Sequence, residues 1–208
     1  MSNASPSAGS GDAGSAARQF FVVQELLGSP ELARFYTDLL INSPTTITAA
    51  RERQQLSKST AYKYANTLAE LSVVEELDEY DHGSALWRAD PVSGNWTDQA
   101  TIELGPALIA VYGATSVDED LALFVDRHGK AELAPAIAAT ISYLKGDTTR
   151  RGVADEIGVP AVEGIAVTQA IEGILAVVTD HDPTLADVDF AVDIHERTIA
   201  DAPYQRDE

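Results

Sequence analysis

TTITAARERQQLSKSTAYKYANTLAELSVVEE, Thr45 to Glu76, is the stretch on which the fold turns. Its punctuation is that of two helices joined tightly. Thr45 or Thr46 can cap a short helix running to about Gln55, Leu56 and Ser57 make the turn, and Ser57 is a good N-cap for a longer helix from Lys58 to about Leu71. On the longer helix Ala61, Ala65, Leu68 and Leu71 share one face, while Ser59, Lys63, Asn66, Thr67 and Glu70 fall opposite. Its charge is equally distinctive. Between Pro44 and Ala69 the only acid is Glu52, set against Arg51, Arg53, Lys58 and Lys63, in a chain whose formal net charge is -19.

Working outward, SVVEELDEYDHGSALWRAD places two β-prone segments around Asp81-His82-Gly83-Ser84, a hairpin turn. A hairpin directly after a helix-turn-helix is a wing. Upstream, Ser29 and Pro30 open a helix on which Leu32, Phe35, Tyr36, Leu39 and Leu40 recur at helical spacing. Arg18 to Gly28 allows a short helix, and residues 1–17, rich in Gly and Ser, are expected to be a disordered tail. Residues 91–100, with Pro91, Gly94 and Asn95, are expected to be a linker.

Beyond it, apolar stripes predict helices over Gly105 to Ala114, Val117 to His128, Leu133 to Leu144, Thr149 to Ile157 and Val162 to Val178. The last two repeat the helix-turn-helix rhythm, with Asp147 or Thr148 as cap and Gly158 and Pro160 as the joint. Their outward residues, Glu163, Gln169 and Glu172, make this second unit a packing or dimerisation element in expectation. DVDFAVDIH alternates Val188, Phe190, Val192 and Ile194 with polar residues, the pattern of an edge strand. The expected architecture is therefore mainly α with a small β-hairpin wing: a winged helix-turn-helix domain over 18–90, a helical domain over 101–197 and an acidic tail over 198–208.

Composition narrows the chemistry. Acidic side chains number 33 against 14 basic ones, which as a whole repels phosphate. Scarce lysine beside abundant carboxylate also marks proteins of a halophilic cytoplasm, so partners are judged from local departures from the acidic background. Cysteine is absent, which excludes disulfides and thiolate metal sites. No apolar run is read as approaching the roughly 20 residues of a membrane span, and a cytoplasmic, membrane-independent protein is expected.

LSKSTAYKYANTLAELSVVEEL, Leu56 to Leu77, resembles the recognition segment of archaeal winged-helix transcription regulators of the ArsR and TrmB type, and the resemblance covers Leu32 to Ala89. DLALFVDRHGKAELAPAI and GDTTRRGVADEIGVPAVEG, within Asp120 to Gly164, are similar to the carboxyl half of haloarchaeal winged-helix proteins. The chain departs from the pattern at Gln54 and Gln55, where Leu and Gly are usual, and at Ser72, where Gly commonly leads into the wing. Its wing also carries Asp78, Glu79 and Asp81, which should hold the wing tip away from phosphate.

The expected function is sequence-specific binding of double-stranded DNA by a homodimeric transcription regulator, without cofactor, metal or catalysis. Lys58, Ser59, Thr60 and Lys63 stand at the end of the helix that enters a major groove, with Asn66 and Thr67 farther along it, and Arg51, Arg53 and Tyr62 are placed to hold phosphates. Tyr64 is expected in the core. The alternative is a winged-helix module that binds protein in a transcription or mobile-element assembly. Arg127, Lys130, Lys145, Arg150 and Arg151 are a candidate anion site for a small-molecule effector, and TDHDP, Thr179 to Pro183, is expected to be a solvated loop. The four dispersed histidines, and the lack of a phosphate loop or nucleophile elbow, give enzyme chemistry no foothold.

Overall fold

The computed structural model describes residues 10–92, 94–97, 101–188, 190, 203, 204 and 206. Within them the chain is mainly helical with a small three-stranded antiparallel sheet. The amino-terminal half runs through α1 (Ser10–Leu26), α2 (Pro30–Ile41), β1 (Thr45–Thr46), α3 (Ile47–Arg53), α4 (Lys58–Glu70), β2 (Val74–Asp81) and β3 (Ser84–Ala89). Each helix start has its physical cause in the sequence. Ser29 Oγ accepts the Leu32 amide at 3.3 Å, Thr46 Oγ1 that of Ala49 at 3.1 Å, and Ser57 Oγ that of Thr60 at 3.1 Å.

Strand order is β1-β3-β2, with Thr45 opposite Trp87 and Val74 opposite Ala89. The β2–β3 hairpin turns at His82 and Gly83, both with positive φ. Positive φ recurs at Gln55 (55°) and Ser72 (59°), where a side chain occupies the left-handed conformation that glycine adopts at least cost.

The carboxyl half comprises α5 (Pro106–Ala114), α6 (Glu119–His128), α7 (Leu133–Leu144), α8 (Arg150–Glu156) and α9 (Ala161–Val178). A single buried cluster unites both halves: Phe35, Tyr36 and Leu39 from α2 belong with Ile109 and Val111 of α5 and Ile171 and Ile174 of α9. The α2–α5 contact is backbone-close, since a Cβ on Gly113 would lie 2.5 Å from the Arg34 amide nitrogen. The Tyr36 hydroxyl donates to the Asp90 carbonyl at 2.7 Å and accepts the Val92 amide at 2.9 Å, pinning the chain as it leaves the hairpin.

Several expectations are corrected. α1 begins at Ser10, inside the stretch expected to be disordered, because its apolar carboxyl end has a core to dock on: Val22, Val23 and Leu26 are buried. Part of the expected linker forms β4 (Gly94–Thr97), which pairs antiparallel with β5 (Thr101–Leu104); backbone hydrogen bonds override the turn-rich composition. Thr149, not Asp147 or Thr148, caps α8, accepting the Gly152 amide at 3.1 Å. α9 continues through His181 as a run long and apolar enough to cross a membrane by length and composition, contrary to the sequence reading. Val167, Ile171, Ile174, Leu175 and Val178 of that run are buried inside the fold.

The final segment was expected to be an acidic tail from 198 onward, yet Tyr204 is 3% exposed and its hydroxyl donates to the Ala110 carbonyl of α5 at 2.7 Å. An aromatic ring outweighs the local acidity there. The expected edge strand falls mostly on residues outside those described; of its apolar positions Val188 is buried and Phe190 half-buried, in a turn.

Candidate nucleic-acid interface

α4 divides cleanly. Ala61, Ala65 and Leu68 are fully buried, whereas Lys58, Ser59, Tyr62, Lys63 and Asn66 are exposed and Thr60 and Thr67 half-exposed. The inward residues are small because the helix packs closely against α2 and α3, and Tyr64 fills the margin by meeting Phe35 at a ring separation of 5.8 Å. The capping Ser57 also joins the outward residues into a hydroxyl cluster, its Oγ lying 3.0 Å from Ser59 Oγ and 2.8 Å from Thr60 Oγ1. Lys58 Nζ sits 5.8 Å from the centre of the Tyr62 ring, which is 41% exposed. Thr67 is committed to its own helix, donating to the Lys63 carbonyl at 3.1 Å.

The two arginines of α3 part company. Arg51 lies near the surface and pairs with Glu52 at 2.8 Å. Arg53 is turned inward: its guanidinium binds the Asp38 carboxylate at 2.7 Å through Nη2 and at 3.1 Å through Nε, with Thr45 Oγ1 at 3.3 Å. Asp38 is 2% exposed, so removing Arg53 would strand a buried carboxylate. Arg53 therefore joins α3 to α2 instead of holding a phosphate, and its partner fifteen residues earlier gave no local signal. Gln54 is likewise buried, its side-chain amide donating to the Arg34 carbonyl at 3.0 Å.

Acid is absent from the first three turns of this face; Glu70 is exposed at its carboxyl end, and more acid stands beside it. Glu75, Glu76, Asp78, Glu79 and Asp81 are exposed on β2, and the neighbouring cation Arg88 is engaged with Glu75 and, at 4.0 Å, with Asp90.

The basic groups of the carboxyl half are largely occupied with structure. Arg127 (3.1 Å) and His128 (3.0 Å) converge on Glu163, and Lys130 donates to the Leu27 carbonyl at 2.8 Å, capping the end of α1. Arg150 pairs with Glu172 at 2.7 Å and lies over the Tyr143 ring. Glu172 is 1% exposed, so it does not face outward as its spacing suggested; α9 is surrounded on more sides than a surface helix. Lys145 and Arg151 are exposed.

TDHDP is also not a solvated loop. Asp182 is 3% exposed; Oδ2 accepts the Ala107 amide at 2.8 Å, and Oδ1 accepts from the Thr184 amide and hydroxyl at 2.9 and 2.7 Å. It caps α5 from 75 residues away, where Gly105 offers no side chain of its own. A Cβ at Gly105 would come within 2.8 Å of that carboxylate, so the glycine and the cap belong together. Neighbouring Asp180 pairs with Arg206 at 3.0 Å, and burial, with Arg206 beside it, holds His181 below its ordinary 6.5.

In comparisons with known proteins, a model of a family of unknown function, DUF7437, matches residues 115–180, which span α6 to α9. No curated protein and no solved structure matches the chain.

Proposed function

We propose that the protein is a sequence-specific DNA-binding transcription regulator of winged-helix type, acting as a homodimer in a halophilic cytoplasm, with α4 in the major groove of double-stranded DNA. The observation that carries this reading is the outward face of α4. It presents Lys58, Ser59, Tyr62, Lys63 and Asn66 to solvent without acid over its first three turns, in a chain of net charge -19. In this arrangement Ser59 and Thr60 meet base edges, Asn66 extends the contact along the groove, and Lys58, Lys63 and Arg51 approach phosphates. Arg53 supports α3 from within. Tyr62 offers both an apolar ring and a hydroxyl to the duplex, a combination suited to short-range recognition where long-range attraction is weak.

The test is a DNA site selected from random sequence with the wild-type protein, then measured with Lys58→Glu/Lys63→Glu. Loss of about 100-fold or more in affinity, with unchanged far-ultraviolet circular dichroism, is expected because two attractive contacts become repulsive. Equal binding by the folded double variant, or no site enriched at any salt, would defeat the reading.

One observation favours a second reading: the exposed acids of β2 suit a basic protein surface better than a phosphate backbone. A winged-helix module binding protein in a transcription assembly would keep its partner in the Lys58→Glu/Lys63→Glu variant and lose it when Asp78, Glu79 and Asp81 are neutralised.

A further inference from the structure

Two faces of α1 have opposite character. Val22, Val23 and Leu26 are buried against the fold, while Phe21 is 65% exposed on the far side. With 3.6 residues per turn, Arg18, Phe21 and Glu25 follow one another along a single stripe, and Arg18 and Glu25 are both exposed. Beside the stripe, the Phe20 and Phe21 rings meet edge to face at 5.8 Å, and Lys130 donates to the Leu27 carbonyl at the end of the helix.

We propose that this stripe is the interface between two copies of the chain, α1 crossing its counterpart antiparallel with the two-fold axis beside Phe21. A two-fold contact must be self-complementary, since the same surface serves both partners. The stripe meets that condition in one orientation only. Arg18 lies three residues before Phe21 and Glu25 four after it, so an antiparallel crossing sets each Arg18 opposite the second copy's Glu25 and makes two equivalent ion pairs. A parallel crossing would instead oppose Arg18 to Arg18 and Glu25 to Glu25.

Charge also selects the location. Two chains of net charge -19 repel each other over most of their surfaces, but Arg18 to Gln24 contains no acid. An exposed phenylalanine in the middle of that interval gains most from being covered, and its contribution does not fade in concentrated salt as an ion pair does. The inference does not depend on the DNA reading; it supplies that reading with two copies of α4 if both hold.

Sedimentation velocity on the full chain tests it, at the lowest salt where circular dichroism still shows the native helix content. The wild type should sediment as a dimer at roughly 10–100 μM. Phe21→Asp should sediment as a monomer with unchanged helix content. Arg18→Glu or Glu25→Arg alone should weaken the dimer roughly tenfold, because each disrupts two ion pairs, and Arg18→Glu/Glu25→Arg should recover most of that loss by exchanging the partners' signs. A monomeric wild type, a Phe21→Asp dimer of wild-type affinity, or a double charge variant no tighter than either single one would each overturn the proposal. These readouts use no DNA, so they stand or fall apart from the function proposed for α4.

Discussion

The number of cations that can reach a duplex sets how steeply binding should fall with salt. Each phosphate contact contributes about -0.9 to the slope of log K against log salt concentration. Lys58 and Lys63 are exposed on the α4 face, and Arg51 adds at most one more contact because Glu52 competes for it at 2.8 Å. Arg53 adds none, being held by Asp38. Two to three contacts give a slope of roughly -2 to -3, so a tenfold rise in salt should weaken binding by only about 60- to 500-fold. Fluorescence anisotropy of a labelled duplex carrying the selected site, measured from about 0.3 to 3 M potassium chloride, reads this slope directly. Lys63→Ala should make it shallower by about 0.9, and a conservative change at Arg53 should leave it unaltered while lowering stability. A slope steeper than about -5 would refute the assignment, since α3 and α4 do not offer that many contacts, as would a slope that ignores Lys63.

Asp182→Ala should cost about 2–4 kcal/mol in urea denaturation, because it leaves the buried Ala107 amide and the part-buried Thr184 amide without their acceptor, whereas Asp180→Ala, at an exposed pair, should change stability by less than about 0.5 kcal/mol. Equal effects at the two positions would reject the long-range cap. Gly113→Ala should destabilise by about 1–3 kcal/mol or prevent folding, since the added methyl meets the Arg34 backbone; a thermal melt unchanged within error would mean that α2 and α5 are not in backbone contact. Ser72→Gly should raise stability by roughly 0.5–1 kcal/mol by relieving a left-handed backbone at a non-glycine residue, and a loss of stability in the same denaturation assay would count against that conformation.

How much could be read without coordinates depended on the range of the interaction. The caps at Ser29, Thr46 and Ser57, the helix limits that follow from them and the apolar stripe of α4 were legible because each is written within one or two turns of sequence. The exposed side of α4 was legible for the same reason: burying Ala61, Ala65 and Leu68 leaves Lys58, Ser59, Tyr62, Lys63 and Asn66 outside. What escaped was long-range pairing. Arg53 on a basic helix end looks like a phosphate ligand until Asp38 is found beneath it, and Asp182 in an acidic loop looks solvated until the bare amino end of α5 arrives from 75 residues away. Glu172 was misplaced because an amphipathic stripe predicts which side is buried only when one side is; α9 is enclosed by its neighbours, and its carboxylate is admitted by pairing with Arg150. In an acid-rich chain the carboxylates that matter to the fold hide among those that serve the surface, and only burial tells them apart.

The acids of β2 bear most directly on how DNA would approach. The first three turns of α4 carry no acid, the hairpin that follows concentrates it, and the hairpin lies next to α4 in both sequence and space. A duplex seated over the amino-terminal turns of α4 would keep Lys58, Ser59 and Tyr62 in contact, while Asp78, Glu79 and Asp81 would press against its phosphates wherever it ran along β2. If the proposed DNA reading holds, the acids would act as a barrier to sequence-independent binding, which depends almost wholly on phosphate contact, more than to a specific complex anchored by base edges. Asp78→Asn/Glu79→Gln/Asp81→Asn should then tighten binding to unrelated duplex by about tenfold while improving the selected site less, which lowers specificity. Competition titrations with unrelated DNA measure both affinities in one experiment. If the neutralised hairpin leaves non-specific binding unchanged, the duplex passes nowhere near β2, and the acids belong to a different partner.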